Sequence, residues 1–344
     1  MAGADGVVAL ARVTRDGVVE STHYGRIAVC APDGRLLASA GDPDGVQFWR
    51  SSSKPLQALS VVTSGAAERF DLTDRELAVC CGSHSGSAAH VETVRGILDR
   101  LGLQPSTLQC GAHWPGDVEE RDRLIRAGQE PSPLHNNCSG KHAGMLATCL
   151  ALSADPTCYL ALDHPVQRLI AAHLSLLSGV PEARFTVGRD GCGAPTVAMP
   201  LRAMARAFAQ LVAPKGLPEE LREELREATV RITAAMTVAP EMVSAPGAFN
   251  TELLGLTAGG VIAKGGAEGL FCMAVRERAL GIAFKIADGS GRTHAPVAIE
   301  LLRRTKARLP DALMERYARL PVTNCHCATV GFIEPMEFAL EMMA

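Results

Sequence analysis

The sequence predicts an α+β fold: an antiparallel sheet built from both termini, flanked by helices, with a helical lobe. Two observations predict it. Strand-like apolar runs bounded by turn residues occupy the first ~50 residues and return after about residue 260. Between them, apolar residues recur at i, i+3 and i+4, the spacing of amphipathic helices. No repeat, low-complexity tract or separating linker interrupts the chain, so a single domain over 1–344 is expected.

The elements follow in order. VVALARV and VVESTHY read as strands joined at Arg15-Asp16-Gly17. RIAVCAPDGRLLASAGD reads as a second hairpin turning at Pro32-Asp33-Gly34. Helices are expected near 55–65, 73–81, 88–101, 141–152 and 164–178, with Asp74 in the cap region of the second. The helical pattern continues over 197–213 and 217–238, broken at Pro214 and Gly216. GLFCMAVRE and LGIAFKIADGS read as a hairpin turning near Arg278-Ala279. A helix over 295–308 and a strand near 328–334 follow.

Composition narrows the function classes. With 47% hydrophobic and 21% charged residues the chain is globular. A net charge of −3 provides no basic field for nucleic acid. No apolar run reaches the ~18 residues of a membrane span. The N-terminal residues lack the pattern of a secretory signal, so a cytoplasmic location is expected. Eleven cysteines in 344 residues do not make a disulfide framework; most are expected as buried thiols.

The segment WRSSSKPLQAL carries the sharpest chemical signal. Ser51 and Lys54 stand three apart, on one face of a helix start. A neutral lysine there takes the proton that makes a serine hydroxyl a poor nucleophile. Pro55 suits the first helical turn, where its missing N–H has no partner to lose. Alone, Ser-x-x-Lys is common. Two later segments strengthen it: Ser83-His84-Ser85 between glycines, and Lys264-Gly265-Gly266 after an edge-strand pattern. Their order matches the S-x-x-K, S-D-N, K-T-G set of serine acyl-transfer enzymes. Ser85 replaces the asparagine and Gly265 the threonine. Cys138, Lys141 and Cys192 form a second group. By spacing alone they are a poor metal signal and read as two buried thiols and a solvated lysine.

Taken together, VESTHYGRIAV, FWRSSSKPLQAL, CGSHSG, HNNCSGKHAGML, GRDGCGAPT and AKGGAEG resemble the bacterial L-asparaginase II family. These are zinc-containing asparaginases with a serine β-lactamase/glutaminase-like fold. The resemblance implies hydrolysis of L-asparagine to aspartate and ammonia. It implies two Ser/Lys pairs, Ser51 with Lys54 and Ser83 with Lys264. Ser51 is the nucleophile, Lys54 the base, and Lys264 a like charge that relays a proton through Ser83. It also implies one zinc on Cys138, Lys141, Cys192 and a water, and a homodimer. Asparagine needs groups at both ends: Asp190 is the candidate for the ammonium and Arg50 for the carboxylate or for orienting the serine. Glu20 and His23, in the family-like segment, are expected as a structural, buried polar pair.

Other features are set aside. Cys325-His326-Cys327 is expected as buried thiols, and Cys80-Cys81 as core. GLTAGGVIAKGGAEG lacks a phosphate-binding pattern. PEELREELREAT is a solvated helix face. The competing functions are a related hydrolase of glutamine, a β-lactam or a small ester, and a non-catalytic zinc or amino-acid binding protein.

Overall fold

The structure is a computed structural model that describes residues 6–342. The chain begins with β1 (Val8–Arg15), β2 (Val18–Cys30), β3 (Leu36–Ala40) and β4 (Val46–Phe48). A 3-10 turn, Arg50–Ser53, then runs straight into α1 (Lys54–Thr63). Next come α2 (Ala66–Arg69), α3 (Asp74–Cys80), α4 (Ala88–Leu101), α5 (Val118–Arg126), α6 (Ser139–Ala151) and α7 (Pro165–Ser178). A hairpin of β5 (Thr186–Arg189) and β6 (Pro195–Pro200) precedes α8 (Leu201–Val212), α9 (Glu219–Val238), α10 (Pro240–Val243) and α11 (Phe249–Leu256). Then follow β7 (Val261–Gly265), β8 (Leu270–Val275), β9 (Leu280–Ile286), α12 (His294–Arg304), α13 (Asp311–Tyr317), β10 (Leu320–Thr323), β11 (Thr329–Pro335) and β12 (Glu341–Met342).

These elements form two compact units, each discontinuous in sequence. The first comprises the chain up to Ser52, Met199–Lys215 and everything from Glu252. The second comprises Ser53–Ala198 and Gly216–Thr251. No stretch of linker marks either off, which is why composition gives no boundary.

The first unit is a nine-stranded antiparallel sheet drawn from both ends of the chain, as expected. Its main path runs β10-β11-β1-β2-β9-β8-β7, with β3 also on β2 and β12 on β3. The two expected N-terminal hairpins share one long strand. β2 spans 13 residues, pairing with β1 over its first half and β3 over its second. Gly25, between them, does not break it. A Cβ there would stand 2.3 Å from the Lys285 carbonyl on β9, so glycine is needed for the close approach. β8 is buried throughout, as a strand covered on both faces should be. α8 packs on β2, β8 and β9, and α12 on β1 and β11. The hairpin between β8 and β9 turns at Ala279, in the left-handed region at φ 47°, where it was expected.

The second unit is helical. α1 packs on α6, α7 and α9, and α3 on α6, α9 and α10. Eleven of the thirteen residues of α6 are buried, so this helix forms the centre of the unit. The cap of α3 is Thr73 rather than Asp74. Thr73 and Glu76 close a reciprocal capping box, the T-x-x-E pattern that the sequence carries. The expected helix over 197–213 begins only at Leu201, because Pro195–Pro200 is a strand ending in proline. The charged first half of α9 is exposed, as expected. Among the described residues no helix is long and apolar enough to cross a membrane.

Candidate active site

In the first unit, Ser51 lies in the 3-10 turn that follows β4. The turn opens with Arg50 in the left-handed region, φ 46°, an unusual position for a side chain that size. Trp49, fully buried, anchors it by stacking on Phe208. Ser52, next to Ser51, is fully buried and donates from Oγ to the Lys264 carbonyl at 3.1 Å. A Cβ on Gly266 would meet Ser52 Oγ at 2.7 Å and Trp49 O at 3.2 Å, so only glycine lets the end of β7 lie against this turn. Lys264 is buried on β7, and its Nζ donates to the Gly265 carbonyl at 2.7 Å. β7 is the edge strand of the sheet, as expected.

In the second unit, Lys54 opens α1 with Pro55 behind it, and it is only 1% exposed. Its Nζ donates to Gly82 O, to Ser83 Oγ at 3.0 Å and to Asn137 O at 3.3 Å. The Cys138 thiol also lies within hydrogen-bonding reach of this amine. The two carbonyls only accept protons, whereas the Ser83 hydroxyl can also give one. The sequence motif contained Ser83; the two carbonyls carried no signal, because every residue has one.

His84 holds the Ser83 loop in place. Gly86 N–H donates to His84 Nδ1 at 3.1 Å, so that nitrogen is unprotonated. Nε2–H then faces Ser139 Oγ at 2.9 Å, and Ser139 donates to Leu134 O at 2.9 Å. Burial, with the neighbouring charges of His90 and Lys54, holds the His84 pKa well below the usual imidazole value. The ring is a neutral brace between the Ser83 loop and the start of α6. Its role was missed, although it lies inside the quoted CGSHSG segment.

Cys138, Lys141 and Cys192 do come together. Cys138 precedes α6, Lys141 lies in its first turn, and Cys192 sits in the β5–β6 turn. All three are buried, so the solvated lysine suggested by spacing alone is not what folds. Lys141 Nζ donates to Cys192 Sγ at 3.1 Å. A hydrogen bond from Cys192, aided by the Lys54 and Lys141 charges, outweighs burial and holds Cys138 well below the usual thiol pKa. Cys192 is pushed up by that bond and by burial. Burial would lower Lys141, but the two sulfurs outweigh it and its pKa is raised. Two soft sulfur donors and an amine nitrogen converging in a buried spot suit zinc, with a solvent ligand completing four. A metal held there would need both thiols as thiolates and Lys141 as a neutral amine. Among the described residues no group of three or more His, Cys, Asp and Glu could hold a metal, so this trio depends on its lysine.

Asp190 shares the turn with Cys192. Its Oδ1 accepts from Gly191 N at 2.8 Å, and its charge acts on Lys141. Two expectations fail. Glu20 and His23 are not a pair: Glu20 is exposed and bonds Arg15, while buried His23 bonds Asp288 at 2.6 Å and accepts from Arg292 at 3.0 Å. Three apart on a strand, they face opposite sides. Cys325 and Cys327 are exposed at the β10–β11 turn, not buried. Eight of the eleven thiols are buried, Cys80 and Cys81 among them.

The L-asparaginase II family matches residues 11–335 of this sequence. The chain belongs to the L-asparaginase II family. That membership makes it an amidohydrolase. Among curated proteins none matches the sequence. Among solved structures it is similar to Mglu in its glutamate form, at 16% identity and TM-score 0.49, covering 83% of this chain and 62% of that one. A Mycobacterium bovis β-lactamase has 13% identity and TM-score 0.41, covering 82% of this chain and 94% of that one. A Bacillus glutaminase has 13% identity and TM-score 0.39, covering 83% and 92%. At such distances none of these structures bears on which amide this family member takes.

Proposed function

We propose that the protein hydrolyses L-asparagine to L-aspartate and ammonia through an acyl-enzyme on Ser51. The observation that carries this reading is the buried Lys54 amine, which donates to two carbonyls and to a hydroxyl. As a neutral base, Lys54 keeps its two N–H bonds on Gly82 and Asn137 and turns its lone pair to the hydroxyl position. Ser51 Oγ attacks the side-chain amide carbon, and its proton passes to Lys54 with Ser83 as the exchangeable partner. By the family resemblance, Lys264 is assigned as the second amine of the relay, with Ser83 as its serine. The oxyanion is met by the Ser51 N–H and the Ala267 N–H, since Gly266 N–H is spent on Leu270 O at 2.8 Å. The leaving nitrogen takes a proton and departs as ammonia. Water then cleaves the ester, returning the proton to Ser51 Oγ.

Asp190 receives the α-ammonium and Arg50 the α-carboxylate. Zinc, when bound by Cys138, Lys141 and Cys192, supplies a fixed positive charge that helps place the substrate. The nucleophile is the serine's. The proposal includes a cytoplasmic homodimer acting on a small-molecule substrate.

Ammonia release from asparagine and from glutamine, measured for wild type and Ser51→Ala, tests it. Wild type should favour asparagine, and Ser51→Ala should fall by at least about 10³-fold. Unchanged turnover in Ser51→Ala would remove the nucleophile. Faster release from glutamine would change the substrate, and nitrocefin hydrolysis without ammonia release would change the reaction.

A further inference from the structure

The loop that follows β9, from Asp288 to Arg292, is tied to β2 at both of its ends. Buried His23 makes the tie. Arg292 Nε donates to His23 Nε2 at 3.0 Å, so that nitrogen carries no proton and the neutral ring keeps its hydrogen on Nδ1. Nδ1–H donates to Asp288 Oδ2 at 2.6 Å. Arg292 Nη2 donates to Ser21 Oγ at 2.8 Å. One imidazole thus joins the first and last residues of the loop.

Between those residues, Gly289 lies against the turn from β7 to β8. A Cβ on Gly289 would stand 2.9 Å from Glu268 Oε2 and 3.6 Å from Glu268 Cα, and one on Gly269 would stand 3.2 Å from the Gly289 carbonyl carbon. Both glycines are left-handed, at φ 80° and 73°, which is how two backbones come this close. Ile286 N–H donates to Gly269 O at 2.9 Å and secures the same contact from β9. Glu268 itself sits at φ 57°, a conformation that a residue with a side chain keeps only where its surroundings enforce it. Its neighbour is Ala267, whose N–H meets the oxyanion in the proposed mechanism.

We propose, on the acyl-enzyme reading of Ser51, that His23 is a positioning residue for the hydrolysis. Through Asp288 and Arg292 it sets the Gly289 loop, the loop backs the Glu268 turn, and the turn aims Ala267 N–H at the oxyanion. One oxyanion donor contributes about 10²–10³-fold to kcat, and a displacement of about 1 Å can cost about 10²-fold. That bond strengthens as charge develops on the oxygen, so its loss falls on kcat and leaves KM.

The test is steady-state ammonia release from whichever amide wild type turns over faster, run beside urea unfolding of each preparation. His23→Phe keeps the ring's bulk and removes both nitrogens; kcat should fall about 10²-fold with KM within about threefold of wild type. His23→Gln offers an N–H to Asp288 and a carbonyl to Arg292, and should bring kcat back to within about tenfold of wild type. Arg292→Ala changes an exposed side chain and should lose at least about tenfold in kcat. A loss carried by KM instead, a Gln variant no better than Phe, or Arg292→Ala within about threefold of wild-type kcat would each overturn the proposal. If His23→Phe does not fold, His23→Gln and Arg292→Ala still decide it. Ser51→Ala separates this role from the reading beneath it. If Ser51→Ala stays active, the acyl-enzyme reading falls and the role of His23 with it. If Ser51→Ala is inactive while His23→Phe runs at full rate, the role of His23 alone is lost.

Discussion

Ser83→Ala separates a proton relay from a mere support. The change removes the hydroxyl 3.0 Å from Lys54 Nζ and leaves the amine its two carbonyls, Gly82 O and Asn137 O. Ser83 is only partly buried, so the fold should lose about 1 kcal/mol, the net worth of one ordinary hydrogen bond. Catalysis should lose far more. The variant deletes the hydroxyl proposed to exchange a proton with Lys54, and positioned acid–base groups contribute about 10²–10⁴-fold. A fall in kcat of about 10²–10³ corresponds to roughly 3–4 kcal/mol. The assay is steady-state ammonia release from asparagine, run beside urea denaturation of the same preparations. The signature is a kinetic loss at least twice the folding loss. A variant within about fivefold of wild-type kcat, or one whose folding loss matches its kinetic loss, refutes the relay.

Two further outcomes follow from the same geometry. Purified protein should hold about one zinc per chain, lost in Cys138→Ala. After chelation, iodoacetamide at pH 7 should label Cys138 ahead of the other buried thiols, and added zinc should protect it; metal-free protein with no zinc-dependent protection contradicts the site. Stability should fall in acid. Burial lowers the pKa of His84, His90, His142, His173 and His294, the last two to about 4. Because these groups bind fewer protons folded than unfolded, their neutral state is fully tolerated above ~6.5. Below it, each costs up to about 1.4 kcal/mol per pH unit until its folded pKa is reached. The urea midpoint should therefore drop between pH 7.5 and 5.5, and a flat profile would contradict these neutral rings.

Much of this was legible in the sequence, and the reasons differ by element. α1, α3, α4, α6 and α7 fall within two residues of their expected bounds, because each carries an apolar stripe long enough to read. The strands β5, β6 and β10 and the helix α13 were not read. Four to six residues give the strands too few repeats for a period, and α13, as short as α3, lacks the capping box that marks α3. Motifs exposed Ser51, Lys54, Ser83 and Lys264 as residue types in order. They could not reveal that Lys54 ends on two carbonyls, since backbone acceptors leave no mark in a sequence. The burial of Lys141 and the exposure of Cys325 are likewise decided by what packs around them. One sits in the centre of a helical unit and the other on a hairpin turn.

The pairing of β1 with β11 has a consequence for biosynthesis. Arg12 bonds Glu334, a partner 322 positions later in the chain. At roughly 5–20 residues per second, a ribosome takes about 15–65 s to deliver that partner after Arg12 has emerged. Through that interval β1 can pair with β2 on one edge while its other edge waits for a strand not yet made, and the helical segments are synthesised in between. Slow translation, or a shortage of chaperones that shield open strand edges, should thus harm the yield of this protein more than that of one assembled from local contacts.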